Sequence, residues 1–94
     1  MAEVIWQDRA IEEFEAIQDY LTLSFGESQT RKFTQRVFDF LDLLSKHPSL
    51  GPIQIKELDI RGFVLSKQTT ILYKLIDNRI YVLSLIDNRM DRIF

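Results

Sequence analysis

Pro48, Gly51 and Pro52 fall close together at the middle of a 94-residue chain, and the apolar pattern changes period across them. Before them, Ile11, Phe14, Ile17, Leu21 and Phe25, then Phe33, Val37, Phe40, Leu41 and Leu44, recur at three- and four-residue spacing. That is the period of an amphipathic helix. After them the period is two, as in strands. A helix hides one stripe and a sheet one face, so a chain ordered this way must lay its helices on its sheet. The expectation is a single α+β domain over residues 1–94, with the helices first.

Local signals set the predicted elements. Val4-Ile5-Trp6 reads as a first or edge strand. Asp8 suits the cap of the first helix, since its carboxylate can accept from free amides of the opening turn. Glu12, Glu13 and Glu15 take the wet face, and Gly26 stops the helix. Glu27 or Ser28 opens the second helix, which ends near Lys46-His47-Pro48. So short a link predicts an antiparallel helix hairpin. Strands are expected over 53–60, 62–66, 69–76 and 79–86, with Asp77-Asn78 as a tight turn, because both residues tolerate positive φ. The predicted architecture is a short strand, a two-helix hairpin, and a three- to four-stranded, mainly antiparallel sheet.

The strands at 69–76 and 80–86 are apolar at nearly every position. Strands of that kind are covered on both faces. The hairpin covers one face, and the chain's tail or a partner must cover the other. Leu75-Ile76-Asp77-Asn78-Arg79 recurs as Leu85-Ile86-Asp87-Asn88-Arg89. Both copies end a strand, and Asp-Asn is good turn chemistry in each.

Composition removes several kinds of chemistry. With no cysteine there is no disulfide, Cys-zinc site or thiol nucleophile. His47 is the single histidine and precedes a proline at a helix end, which suits a capping role better than acid–base work. Metal sites and nucleophilic triads need more parts, and three glycines leave no phosphate-binding loop. No cofactor or metal is expected. The N-terminus lacks a signal-peptide pattern and no apolar run is long enough to span a membrane, so a cytoplasmic protein without membrane contact is expected. Net charge is −2, yet residues 1–47 carry nine acids against five bases and residues 48–94 five acids against seven bases. An anionic or acidic partner would favour the second half. Glu57 and Asp59, two apart, read as solvated charges on one strand face.

The second half also holds the candidate functional side chains: Arg61, Lys67, Tyr73, Lys74, Arg79, Tyr81, Arg89 and Arg92. Arg grips phosphate or carboxylate with two parallel hydrogen bonds, and Tyr stacks on a base or fills an interface pocket. Alternation puts Ile71, Tyr73 and Leu75 on one face and Leu72, Lys74 and Ile76 on the other. The same rule groups Tyr81, Leu83 and Leu85 against Val82, Ser84 and Ile86. Tyr73 also suits a core tyrosine, and Arg79 a solvated turn charge. Arg61 and Lys67 are six apart and share a face on an unbroken strand, unless Gly62 introduces a bulge.

Arg61-Gly62-Phe63-Val64-Leu65-Ser66-Lys67, Thr70-Ile71-Leu72-Tyr73-Lys74-Leu75, Ile80-Tyr81-Val82-Leu83 and Asp87-Asn88-Arg89, in that order, resemble the RelE/ParE superfamily, the toxins of bacterial type II toxin–antitoxin pairs. Ala10 in the first helix and the Pro48–Gly51 link fit the same pattern. The resemblance implies a plasmid-stabilisation type of module and an antitoxin that wraps or fills exposed grooves of the toxin, with Tyr73, Tyr81, Arg79 and Arg92 as partner-binding residues. For action it implies two alternatives. ParE-like members inhibit DNA gyrase by binding. RelE-like members cut mRNA on the ribosome, and here Arg61, Lys67 and Arg89 would be the catalytic cations, stabilising charge in the transition state. This chain has Thr70 where such nucleases often carry Arg, and it ends Ile93-Phe94 without a terminal Tyr or His. Those departures favour the binding inhibitor. A non-toxic member that only binds its partner is the third expectation.

Overall fold

The computed structural model describes residues 2–90. The chain runs β1 (Glu3–Trp6), α1 (Asp8–Phe25), α2 (Glu27–Lys46), β2 (Ile53–Ile55), a 3₁₀ turn (Lys56–Leu58), β3 (Ile60–Val64), β4 (Thr69–Ile76) and β5 (Arg79–Asp87). Five strands form one sheet in the order β1-β5-β4-β3-β2. β1 lies parallel to β5, and the other neighbours are antiparallel. The expected α+β architecture is present, with its first strand returned to the sheet as an edge.

The helices are joined by Gly26 alone, at φ 94°. Only glycine takes that backbone without strain, so one residue both ends α1 and precedes α2. Its amide closes α1 by donating to the Leu21 and Thr22 carbonyls. Neither expected cap is used. Asp8 is the first helical residue after Gln7, and Glu27 follows Gly26, with no side-chain cap at either site. The hairpin is antiparallel. Gln18 Nε2 donates to Thr34 Oγ1 at 3.0 Å, and the Thr22 and Thr30 hydroxyls meet at 2.7 Å.

α2 buries the stripe that its spacing predicts, Phe33, Val37, Phe40, Leu41 and Leu44. α1 is turned from its predicted face. Ala10, Ile17 and Leu21 point inward, while Ile11 and Phe25 are exposed. The small Ala10 lets α1 approach β5 closely, and that rotation lifts Ile11 out. Phe40 stacks on Phe63 at 4.5 Å between centroids, and Phe14 lies 5.2 Å from Trp6, so aromatic pairs tie the hairpin to both flanks of the sheet. Burial of Ile71, Ile80, Val82 and Leu85 beneath it contributes about 1.5–3 kcal/mol each.

Two sheet details depart from simple alternation. The predicted strand over 53–60 is a tight β2–β3 hairpin, folded through the 3₁₀ turn and Asp59 at φ 52°. Glu57 and Asp59 therefore sit in a turn and share no strand face. Between Tyr73↔Val82 and Leu72↔Ser84 the β4–β5 ladder slips by one, leaving Leu83 without a partner. This bulge returns Leu85 to the helix side with Val82 and Ile80, so the predicted grouping of Leu85 with Tyr81 and Leu83 does not hold. Asp77 (φ 49°) and Asn78 (φ 61°) make the expected turn. Among the described residues no helix is long and apolar enough to cross a membrane.

Candidate functional site

Asp87 ends β5 with its carboxylate fully buried. One oxygen accepts from the Arg89 amide at 3.0 Å and from Arg89 Nε at 2.9 Å. The other accepts from Arg89 Nη2 at 2.6 Å and from the Thr69 hydroxyl at 2.9 Å. Burial pushes the Asp87 carboxyl up, but the Arg89 guanidinium, the Thr69 hydroxyl and the Arg89 amide outweigh it and hold the group below its ordinary value. The same fork holds Arg89 in its charged form. Its guanidinium also sits 5.9 Å from the Phe25 ring centre, and the Tyr20 hydroxyl donates to its carbonyl at 3.3 Å. The second Asp-Asn-Arg is thus a buried ion pair, whereas the first is a turn.

Arg61 pairs with Tyr73 in the β3–β4 ladder and faces the helices with Phe63. Its Nη1 donates to the Gly51 carbonyl at 3.0 Å, and the Gly51 amide donates to the Tyr73 hydroxyl at 2.7 Å. Gly51 is required there: a Cβ would lie 2.7 Å from that hydroxyl oxygen and 2.9 Å from the Gly62 carbonyl. Burial pushes the Tyr73 hydroxyl's pKa up, against the opposing Gly51 hydrogen bond and Arg61 charge. Arg61 Nε is buried and, among the described residues, without a partner.

Of the three candidate catalytic cations, two share one end of the sheet. Lys67 is exposed in the β3–β4 turn, where its carbonyl accepts from Asn88 Nδ2 at 3.3 Å, next to Arg89. Arg61 lies four β4 residues away, since Tyr73 pairs with Arg61 and Thr69 with Asp87; that is about 13 Å of strand. β3 stops at Val64, so no unbroken strand joins Arg61 to Lys67, and β3 carries no bulge at Gly62. His47 is exposed, and its amide closes α2 on the Leu43 and Leu44 carbonyls.

The expected partner-binding residues divide. Tyr73 corrects the expectation: it is 0% exposed, in the core with its hydroxyl bonded, and offers no surface to a partner. Tyr81 is half-buried on the sheet face opposite the helices. Arg79 is exposed at the β4–β5 turn and pairs with Glu3 at 3.5 Å. Arg92 lies outside the described residues. Around Tyr81 the outer face is apolar, formed by Ile5, Ile60, Leu72 and Leu83, none of which packs against the core. The expected second cover for β4 and β5 is not supplied by residues 2–90.

Sequence reasoning missed Glu13, Ser84 and Gly51. Glu13 Oε1 accepts from the Ser84 hydroxyl at 2.8 Å and the Leu85 amide at 3.3 Å, pinning α1 to the β5 bulge. A serine inside an apolar strand was the available signal, because a buried hydroxyl needs a partner.

The sequence matches the ParE toxins of type II toxin–antitoxin systems (parDE) over residues 4–92. No curated protein matches it by sequence. The fold is shared with solved structures of low identity. The chromosomal ParDE toxin–antitoxin system from P. aeruginosa is 17% identical, with a TM-score of 0.76 over 93% of this chain and 96% of that one. The YoeB/ParE toxin from Agrobacterium tumefaciens is 10% identical, with a TM-score of 0.66 over 90% and 97%. The YoeB-YefM complex from Staphylococcus aureus is 13% identical, with a TM-score of 0.63 over 92% and 95%. The chain belongs to the ParE toxin family of type II toxin–antitoxin systems.

Proposed function

We propose that this chain acts by binding a protein target, as a ParE-like inhibitor of DNA gyrase, and that a cognate antitoxin neutralises it by covering the outer face of the sheet. The observation that carries the first part is the Asp87–Arg89 fork. A nuclease of this fold needs free cations that converge on a phosphate. Here Arg89 is already gripped by a buried carboxylate, and Arg61 is turned to the helix side on Gly51. Lys67 alone of the three carries an unengaged charge among the described residues. The antitoxin part is supported by the apolar outer face and by two of the similar structures being of toxin–antitoxin pairs.

The test is expression of the chain without a partner in a bacterial host, with mRNA 5′ ends mapped and gyrase supercoiling assayed on the purified protein. Intact mRNA with blocked supercoiling is expected. Ribosome-phased cuts would replace this reading with the mRNA endonuclease, and unaffected growth would remove both toxic readings. Co-expression of a small neighbouring reading frame should restore growth.

A further inference from the structure

The outer face of the sheet carries one cation amid apolar side chains. Lys74 stands opposite Ile60 on β3 and Tyr81 on β5, with Leu72 and Ile76 on the same side of its own strand. It is half-buried, and among the described residues no carboxylate lies within 4.0 Å of it. The nearby rim differs, because Arg79 is matched by Glu3. In the free chain the Lys74 stem lies along apolar surface and its ammonium reaches water. A segment laid over this face cuts that ammonium off from water. An ammonium desolvated without a counter-charge opposes binding, whereas one met by a carboxylate gains a charge-assisted hydrogen bond.

We propose that Lys74 selects the partner: the segment that covers the outer face is amphipathic, lays apolar side chains on Leu72, Tyr81 and Leu83, and sets one Asp or Glu carboxylate on the Lys74 ammonium. This rests on the reading that the face is the antitoxin's seat. It adds a sequence requirement, one acid at a fixed position within an apolar stripe. A partner with a neutral or basic residue there is rejected by the unpaired charge.

The experiment pans a displayed library of amphipathic peptides, varied among Glu, Gln and Lys at their polar positions, on the purified wild-type chain and on Lys74→Glu. Wild type should enrich an acid at one position, and Lys74→Glu a lysine at that same position. Against the wild-type peptide, Lys74→Glu should bind about 30-fold or more weakly, the loss expected for one partner of a buried charge pair. Exchanging the peptide acid for lysine should restore it. Lys74→Met keeps the stem and should lose the preference for charge while melting as wild type does. Leu72→Glu should abolish binding of the selected peptides. Identical peptides from both selections, no binders to wild type, or binders indifferent to Leu72→Glu would each overturn the proposal. Failure of neutralisation in the co-expression test bears on the antitoxin reading and leaves the charge preference to stand or fall by the panning.

Discussion

Replacing Asp87 by Asn removes a charge and almost no volume, so it isolates what the buried fork contributes. The carboxylate accepts four hydrogen bonds, three of them from Arg89 and one from Thr69. An amide oxygen keeps part of that set, and its NH₂ group meets donors where the second oxygen was. Hydrogen bonds to charged groups are worth about 1.5–3 kcal/mol each. Breaking a fully buried pair costs about 3–5 kcal/mol. Arg89 is 24% exposed, so its guanidinium can turn to water and the loss lies at the lower end. Asp87→Asn should therefore destabilise by about 2–3 kcal/mol at neutral pH, lowering Tm by about 10–20 °C in a domain of this size. Urea unfolding followed by circular dichroism across a pH series gives the decisive reading. The folded-state pKa of Asp87 is depressed, so its contribution is present above the ordinary carboxylate value and is lost as pH falls through the folded value. The gap between wild type and Asp87→Asn should be widest near neutrality and close below about pH 4. A gap that is absent at pH 7, or unchanged by acid, would refute the ion-pair account.

Three further experiments probe other links. Tyr73→Phe strips the acceptor from the buried Gly51 amide and should cost about 1–3 kcal/mol by urea denaturation. Ser84→Ala and Glu13→Gln, singly and together, should show a coupling of about 0.5–2 kcal/mol in a double-mutant cycle, because one carboxylate oxygen serves both Ser84 and Leu85. Ile71→Ala should cost about 2–5 kcal/mol, while Leu72→Ala, one residue along on the outer face, should cost clearly less; equal losses would mean that the two faces are wrongly assigned.

The parts of this fold that rest on repetition were legible in the residues. The α2 stripe, the Asp77-Asn78 turn, the edge strand Val4-Ile5-Trp6 and the change of period after Pro48 each depend on local preference or alternation. What was not legible depends on single accommodations. Nothing in the periodicity announced that Ala10 would replace Ile11 on the inner face of α1, because helix rotation is set by how closely α1 meets β5. The bulge at Leu83 moved Leu85 across the sheet, since one unpaired residue breaks the alternation that the sequence pattern relies on. Arg89 looked like a free cation because a linear sequence does not show that Asp87 is buried.

The echo of Asp-Asn-Arg states the problem of reading the site. In the first copy Asp77 and Asn78 take positive φ, and Arg79 projects at an exposed turn. In the second the strand continues through Asp87, which turns its carboxylate inward under Thr69, and Arg89 folds back onto it. Identical triplets thus differ in whether the acid is wet, and only the buried acid folds the arginine of its own triplet back onto itself. The same criterion ranks the other cations. Arg61 is held by a carbonyl on the helix side, and Arg79 and Arg89 by carboxylates. Lys67 and Lys74 are unmatched among the described residues, one on an exposed turn and the other set in apolar surface. An exposed lysine loses little by staying in water. Lys74 is the one whose charge must be answered when its surface is covered, so partner choice falls on it rather than on the arginines that the family pattern singles out.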